Sequence, residues 1–169
     1  VCCITYFIAR GSLRAQVLAK LQSIATIQKE RIGGILSQNR ERLSLVSSRT
    51  QLRLSLREFL RTGGERHREK MTRILTDARN SVPAFRRISV LNLDGEVVAS
   101  TEPEHVGSNH GSAAYFQEGR DGITVKSLYR SQDGRVAAHL AAPLSLEKKR
   151  LGVALVDCRM EDLLKVLNN

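Results

Sequence analysis

From residue 13 to about residue 46 the apolar positions recur with helical spacing. Val17, Leu21, Ile24, Ile32, Ile35, Leu43 and Val46 fall on one stripe, with Gln28 and Asn39 as its polar members. That periodicity predicts an amphipathic α-helix. It is far longer than most globular helices, and its polar interruptions suit a stalk better than a core. Gly33-Gly34 in its middle predicts a bend, since glycine is a poor helix former. Ser47-Ser48 breaks the pattern. A second helix is predicted from about Thr50 to Leu60 with Leu52, Leu56, Phe59 and Leu60 apolar, and Thr62-Gly63-Gly64 stops it. A third runs from about Glu65 to Arg79, with Met71, Ile74, Leu75 and Ala78 inward. Pro83 disfavours helix at Val82.

After Pro83 the period changes to two. Residues 88–93 and 96–100 read as strands joined by a tight turn at Asp94-Gly95. A polar, glycine-bearing stretch from Thr101 to Gly111 leads to one or two helical turns at residues 112–116, ended near Gly119. A second hairpin follows, Ile123 to Tyr129 and Arg135 to Leu144, turning at Asp133-Gly134. Residues 147–150 form a charged turn, 151–156 a fifth strand, and Met160 to Leu167 a final helix. Three helices, five antiparallel strands and a short terminal helix predict an α+β domain with its helices on one side of the sheet.

Charge is uneven. Residues 1–87 carry 18 Lys and Arg against 6 Asp and Glu, and residues 88–169 carry 9 against 11, within a net charge of +10. A basic half beside a near-neutral half points to an anionic neighbour, either membrane headgroups or nucleic acid. Arg49, Arg53, Arg57 and Arg61 recur every four residues and form a ridge. Phosphate binding wants such a ridge, but so does any solvated helical face, and no stacking aromatics accompany it. The apolar run at residues 1–9 stops at Arg10-Gly11-Ser12. At about half the ~20 apolar residues that a spanning helix needs, it reads as the end of a transmembrane helix. Cys2, Cys3 and Cys158 make no CxxC pair, so neither a disulfide framework nor a zinc site is indicated. The four histidines have no metal-binding spacing, and no nucleophile–base pair or phosphate-binding glycine motif occurs.

The run Ile88-Ser89-Val90-Leu91-Asn92-Leu93-Asp94-Gly95-Glu96-Val97-Val98-Ala99-Ser100-Thr101 resembles the first hairpin of Cache domains, the PAS-like extracytoplasmic sensors of bacterial histidine kinases, chemoreceptors and diguanylate cyclases. Later pieces follow in the expected order: Val106-Gly107, Tyr115-Phe116, Gly122, Asp133-Gly134, Ala142-Pro143-Leu144 and Leu151-Gly152-Val153. Ser48-Arg49-Thr50-Gln51-Leu52-Arg53 after the long helix fits as well. The resemblance implies a single-module domain. Residues 1–12 end a first transmembrane helix, 13–82 form the helical stalk and helices, 83–159 the PAS-like sheet, and 160–169 a helix leading to a second membrane segment. It further implies a ligand-sensing, non-catalytic domain in the periplasm of a signal-transduction receptor such as a two-component histidine kinase. The partners implied are a small molecule, the membrane and a second copy in a homodimer, with no cofactor, no metal and no nucleic acid. A scaffold or dimerisation domain without a ligand is the other reading. The amino-acid signature of tandem members, a Tyr with a downstream Arg and Trp, is not matched, because the chain has no Trp.

In the family the ligand lies between the sheet and the loop joining the hairpins, here residues 101–122. Ser112, Tyr115, Lys126, Tyr129, Arg130, His139 and Asp157 are the candidate ligand-binding residues. A small carboxylate is held by a cation plus hydroxyls, with Lys126 or Arg130 as cation and Tyr115 or Tyr129 as hydroxyl. In a regular strand Lys126 and Arg130 share a face and Tyr129 takes the other. Each has a plainer role open to it. Tyr115 can cover the sheet, His139 can be a satisfied sheet histidine, Asp157 can cap the last helix, and Lys126 and Arg130 can be solvated strand charges.

Overall fold

A computed structural model describes residues 2–130 and 134–160. The predicted helix through residues 161–167 and the turn residue Asp133 lie outside them. The first helix, α1 (Cys2–Ser47), is continuous through Gly33-Gly34, where a Cβ at either position would meet nothing within 4 Å. Its stripe sinks gradually into the domain. Val17, Leu21 and Ile24 are exposed, Ile32 and Ile35 are half-buried, and Asn39, Leu43 and Val46 are buried. Among the described residues no helix is long and apolar enough to cross a membrane.

Helix α2 (Thr50–Thr62) ends as predicted on Gly63, whose φ of 67° and N–H to the Phe59 carbonyl (2.7 Å) close the last turn. Helix α3 (Glu65–Ser81) stops before Val82-Pro83. The sheet has five antiparallel strands, β1 (Phe85–Leu91), β2 (Val97–Ser100), β3 (Thr124–Arg130), β4 (Val136–Leu146) and β5 (Lys149–Arg159), in the order β2-β1-β5-β4-β3. The β1–β2 turn is built by Asn92, whose side-chain oxygen accepts the N–H groups of Asp94 and Glu96 at 3.0 Å each, and by Gly95 at a φ of 84°. The charged turn before β5 is tighter than expected. Only Glu147 and Lys148 lie outside the strands, both at positive φ (53° and 65°), and residues 149–150 already belong to β5.

Alternation divides the sheet into two faces. Ile88, Val90, Leu140, Ala142, Ala154, Val156 and Cys158 join Leu43, Leu52, Leu56, Met71 and Leu75 in the main core beneath α1, α2 and α3. Burying each such Leu or Ile fully contributes about 1.5–3 kcal/mol. On the other face Leu91, Val97, Ala141, Val153 and Leu155 gather around Phe116 of a short helix, α4 (Ala114–Gly119). Gly119 allows that helix to press on β4, since a Cβ there would stand 2.5 Å from the Ala141 Cβ.

Candidate functional site

The face that carries α4 turns polar toward one end. Arg87 of β1 pairs in register with Asp157 of β5, and Asp157 with His139 of β4. Three adjacent strands thus place an arginine, an aspartate and a histidine in one row. Period two dictates their facing: Ile88, Val156 and Leu140 point to the helical core, so their neighbours Arg87, Asp157 and His139 point away from it. Strand β5 runs past the predicted end at Val156, which puts Asp157 inside the sheet and not at the start of a helix.

Asp157 is 4% exposed. His139 donates its Nδ1–H to Oδ1 at 2.8 Å, and Arg87 donates to Oδ2. Burial pushes the Asp157 carboxyl upward. The His139 hydrogen bond and the Arg87 charge outweigh it and hold the group below the ordinary aspartate value. The His139 ring lies between two tyrosines, with centroids 4.3 Å from Tyr115 and 4.5 Å from Tyr129. Both phenols are pushed up by burial and then by the Asp157 charge, Tyr129 to about 12.

The loop after β2 closes over this row. A 3-10 turn at Pro103–His105 presents Glu102 and His105 to Arg87, which donates to both, at 3.5 Å to Glu102. Further along, Tyr115 bonds His110 Nδ1 at 2.7 Å, and His110 Nε2 bonds Ser108 Oγ at 3.2 Å. Ser108 gives its own proton to the His105 carbonyl (2.6 Å). The network therefore fixes His110 as the tautomer protonated on Nε2, accepting from Tyr115. Burial, then the Arg87 charge, lowers the pKa of His110.

Outside the row lies a cleft of 400 Å³ walled by Arg86, Arg87, Glu102, Glu104, His105, Tyr129, Arg130 and Asp157. Arg86 has no hydrogen bond or ion pair there among the described residues. Among the described residues Arg130 donates to the Gly134 carbonyl alone, at 3.4 Å. Glu102, Glu104 and His105 bring donor atoms within 4.8 Å of one another. The Arg87 guanidinium already neutralises the Glu102 carboxylate and donates to the His105 ring, so two of the three groups are committed to an ion-pair cluster.

Of the residues singled out from the sequence, Tyr115, Tyr129, His139 and Asp157 are brought together, and Arg130 reaches the cleft rim. Lys126 is exposed and ion-paired to Glu118 of α4 at 3.0 Å. Ser112 is exposed on the loop, outside the cluster. The expected facing of β3 does not hold. A bulge between Lys126 and Tyr129 lets Lys126 pair with His139 and Tyr129 with Ala137, so Tyr129 turns to the His139 side. Sequence reasoning missed Arg86, Arg87, His105 and His110 as members of this site. The histidines lay in a loop already marked, but nothing local distinguished Arg86 or Arg87 from the chain's many other arginines.

No protein-family model matches the chain, and no curated protein sequence does. Solved structures do. The sensor domain of the Vibrio cholerae histidine kinase DctB superimposes with a TM-score of 0.77 at 19% identity, covering 90% of this chain and 60% of that one. The sensory domain of the Campylobacter jejuni chemoreceptor Tlp3 with isoleucine bound gives 0.70 at 17% identity, covering 92% and 64%. The Tlp3 ligand-binding domain in complex with 4-methylisoleucine gives 0.66 at 16%, covering 85% and 59%. The chain has the fold of these sensor domains. It spans about three-fifths of the length of each. The α+β architecture read from the periodicity is the observed one, except that α4 packs on the opposite face of the sheet from α1, α2 and α3, where all helices were expected on one side.

Proposed function

We propose that this chain is the extracytoplasmic ligand-sensing domain of a bacterial membrane signal-transduction receptor, and that it binds a small carboxylate in the cleft beside Asp157. The observation that carries the reading is the pair of cations at the cleft, Arg86 and Arg130, neither of which has an ion pair among the described residues, next to Tyr129. Arg87 is already committed to Asp157 and Glu102, so a carboxylate entering from solvent meets Arg86 and Arg130 first. Isoleucine, found on Tlp3, carries such a group. The ligand favours one of two arrangements only by its differential affinity for them, and the transmitting elements are α1 and the residues beyond Met160.

The test is a thermal-shift screen of small carboxylates against the wild type and an Arg86→Ala/Arg130→Ala double variant. A ligand at about 100 times its Kd stabilises by about 2.7 kcal/mol. A shift in the wild type that the double variant loses supports the reading, and the absence of any shift in the wild type removes it.

A second reading, a dimerisation domain, is favoured by the exposed stripe Val17, Leu18, Leu21, Ile24 and Ile27 on α1. The two readings are compatible, since a parallel pair of α1 helices gives the sensor its second copy. The nucleic-acid reading loses its basis in the arginine ridge. Arg49 donates to the Ile74 carbonyl, Arg53 to those of Ser48 and Ser145, and Arg57 and Arg61 pair with Glu58.

A further inference from the structure

Three of the four histidines, His105, His110 and His139, surround the Asp157 cluster, whereas His67 lies away on α3. Their ring nitrogens are not equivalent. Arg87 donates to His105 Nε2, which occupies that nitrogen's lone pair. His110 uses both nitrogens, one toward Tyr115 and one toward Ser108. His139 gives its Nδ1–H to Asp157, and its Nε2 has no hydrogen-bond partner among the described residues. Of the three, His139 alone combines a free lone pair with a buried carboxylate already in contact.

Resting on the carboxylate-sensor reading above, we propose that the cleft takes up a proton at His139 Nε2 together with its anionic ligand. The proton comes from solvent and no other bond changes. Histidine is the side chain whose ordinary range of charge change lies between about pH 5 and 8. Two other histidines stand nearby: His105, whose Nε2 meets Arg87, and His110, whose pKa is lowered by burial and then by the charges of Arg87 and His139. The remaining groups around His139 hold their charge across that window. From β5, Asp157 stays ionised because its pKa is lowered. From β1, Arg86 and Arg87 stay cationic. From α4 and β3, Tyr115 and Tyr129 stay neutral because their pKa values are raised. Lys126 is tied to Glu118, Arg130 is permanently charged, and Glu102 is held by Arg87. Glu104 completes the cleft's acidic wall.

The cleft wall sets Arg86, Arg87 and Arg130 against Glu102, Glu104 and Asp157, and a proton on His139, which stands directly behind Asp157 and Tyr129, adds one positive charge beside it. An anion in the cleft holds that proton, and the proton holds the anion. Linkage makes the effect reciprocal. Binding tightens as pH falls, and the bound anion raises the pH at which His139 takes up its proton.

The test uses propionate and malonate as probes, followed by amide chemical-shift titration of the 169-residue chain at about pH 6 and about pH 8. The expected result is binding about tenfold tighter at the lower pH, the size of effect that one added charge gives in a partly screened site. His139→Asn keeps a donor toward Asp157 but has no site for the proton, and it should lose the pH dependence. His67→Asn should keep it. Where His139→Asn does not fold, the imidazole ¹⁵N shifts of wild-type His139 serve instead, and their titration midpoint should rise with propionate. Equal wild-type affinity at both pH values, pH dependence retained by His139→Asn, or an unmoved midpoint overturns the coupling and leaves the carboxylate site standing. No binding of either probe at either pH overturns both.

Discussion

His139 Nδ1 stands 2.8 Å from Asp157 Oδ1, and the two residues sit opposite each other on neighbouring strands, 18 positions apart in the chain. The contact joins the second hairpin to the last strand at the polar end of the α4 side of the sheet. Arg87 completes it from β1, so a single buried carboxylate ties three strands together.

Asp157→Ala should therefore be strongly destabilising. Removing one member of a buried ion pair costs about 3–5 kcal/mol, because the partner charge is left uncompensated. Arg87 is 17% exposed, so the lower end of that range is expected. Urea unfolding followed by circular dichroism measures it, and a loss below about 1 kcal/mol, the value of a surface pair, contradicts the structural role.

The same carboxylate sets part of the acid limb of stability. Its pKa is lower in the folded protein than in the unfolded chain, so on acidification the unfolded state binds the proton first. The contribution is fully present above the ordinary aspartate range near pH 4 and is lost as pH falls through the folded value. Urea midpoints should drop between about pH 5 and pH 2, and Asp157→Asn should flatten that drop.

The β4–β5 turn offers a gain. Glu147 and Lys148 both occupy left-handed backbone, which Asn-Gly accommodates with less strain. The Glu147→Asn/Lys148→Gly variant should be more stable by about 0.5–1 kcal/mol, despite losing the long, exposed Arg57–Glu147 pair at 3.9 Å. A lower melting temperature than wild type would contradict this.

Gly119→Leu tests how α4 is seated. Its side chain would enter the space held by Ala141 and Val153. Overpacking of this kind costs about 1–3 kcal/mol. Tyr115 belongs to the same helix, so the variant should also disturb the His139 ring signals in NMR spectra.

Val17→Glu and Leu21→Glu lie on exposed positions of α1, 52% and 56% accessible. They should leave the melting temperature of the folded body unchanged and shift the chain from dimer to monomer in light scattering. A wild type that is monomeric at all concentrations removes the dimer reading.

Much of the fold was legible in the sequence because its signals are local. The switch of period at Pro83 separated helices from strands. Gly63, the Asp94-Gly95 turn and Val82-Pro83 marked element ends through their own backbone preferences, although β1 ends at Leu91, two residues before the expected Leu93, and gives up Asn92 to the turn. The boundary of β5 was missed because Asp157 and Arg159 read as polar chain, whereas pairing with β1 and β4 carries the strand through them. The facing of Tyr129 was missed because a bulge leaves no mark in a two-residue period.

The candidate site was half legible for the same reason. Tyr115, Tyr129, His139 and Asp157 stood out as polar residues near small or apolar ones, and the structure gathers them. Arg87 could not be chosen over its neighbour Arg86, since only the register of β1 against β5 decides which guanidinium meets Asp157.

By itself the sequence determined the order of elements, the α+β class and the buried faces of α2 and α3, since these follow from periodicity and turn chemistry within a few residues; the loop over the site came from the resemblance to Cache domains. The tertiary structure alone decided the charge pattern of the cleft. Arg87, His139 and Asp157 come from three different strands, and only the sheet's strand order sets them side by side, with the half-buried Arg86 on the cleft wall.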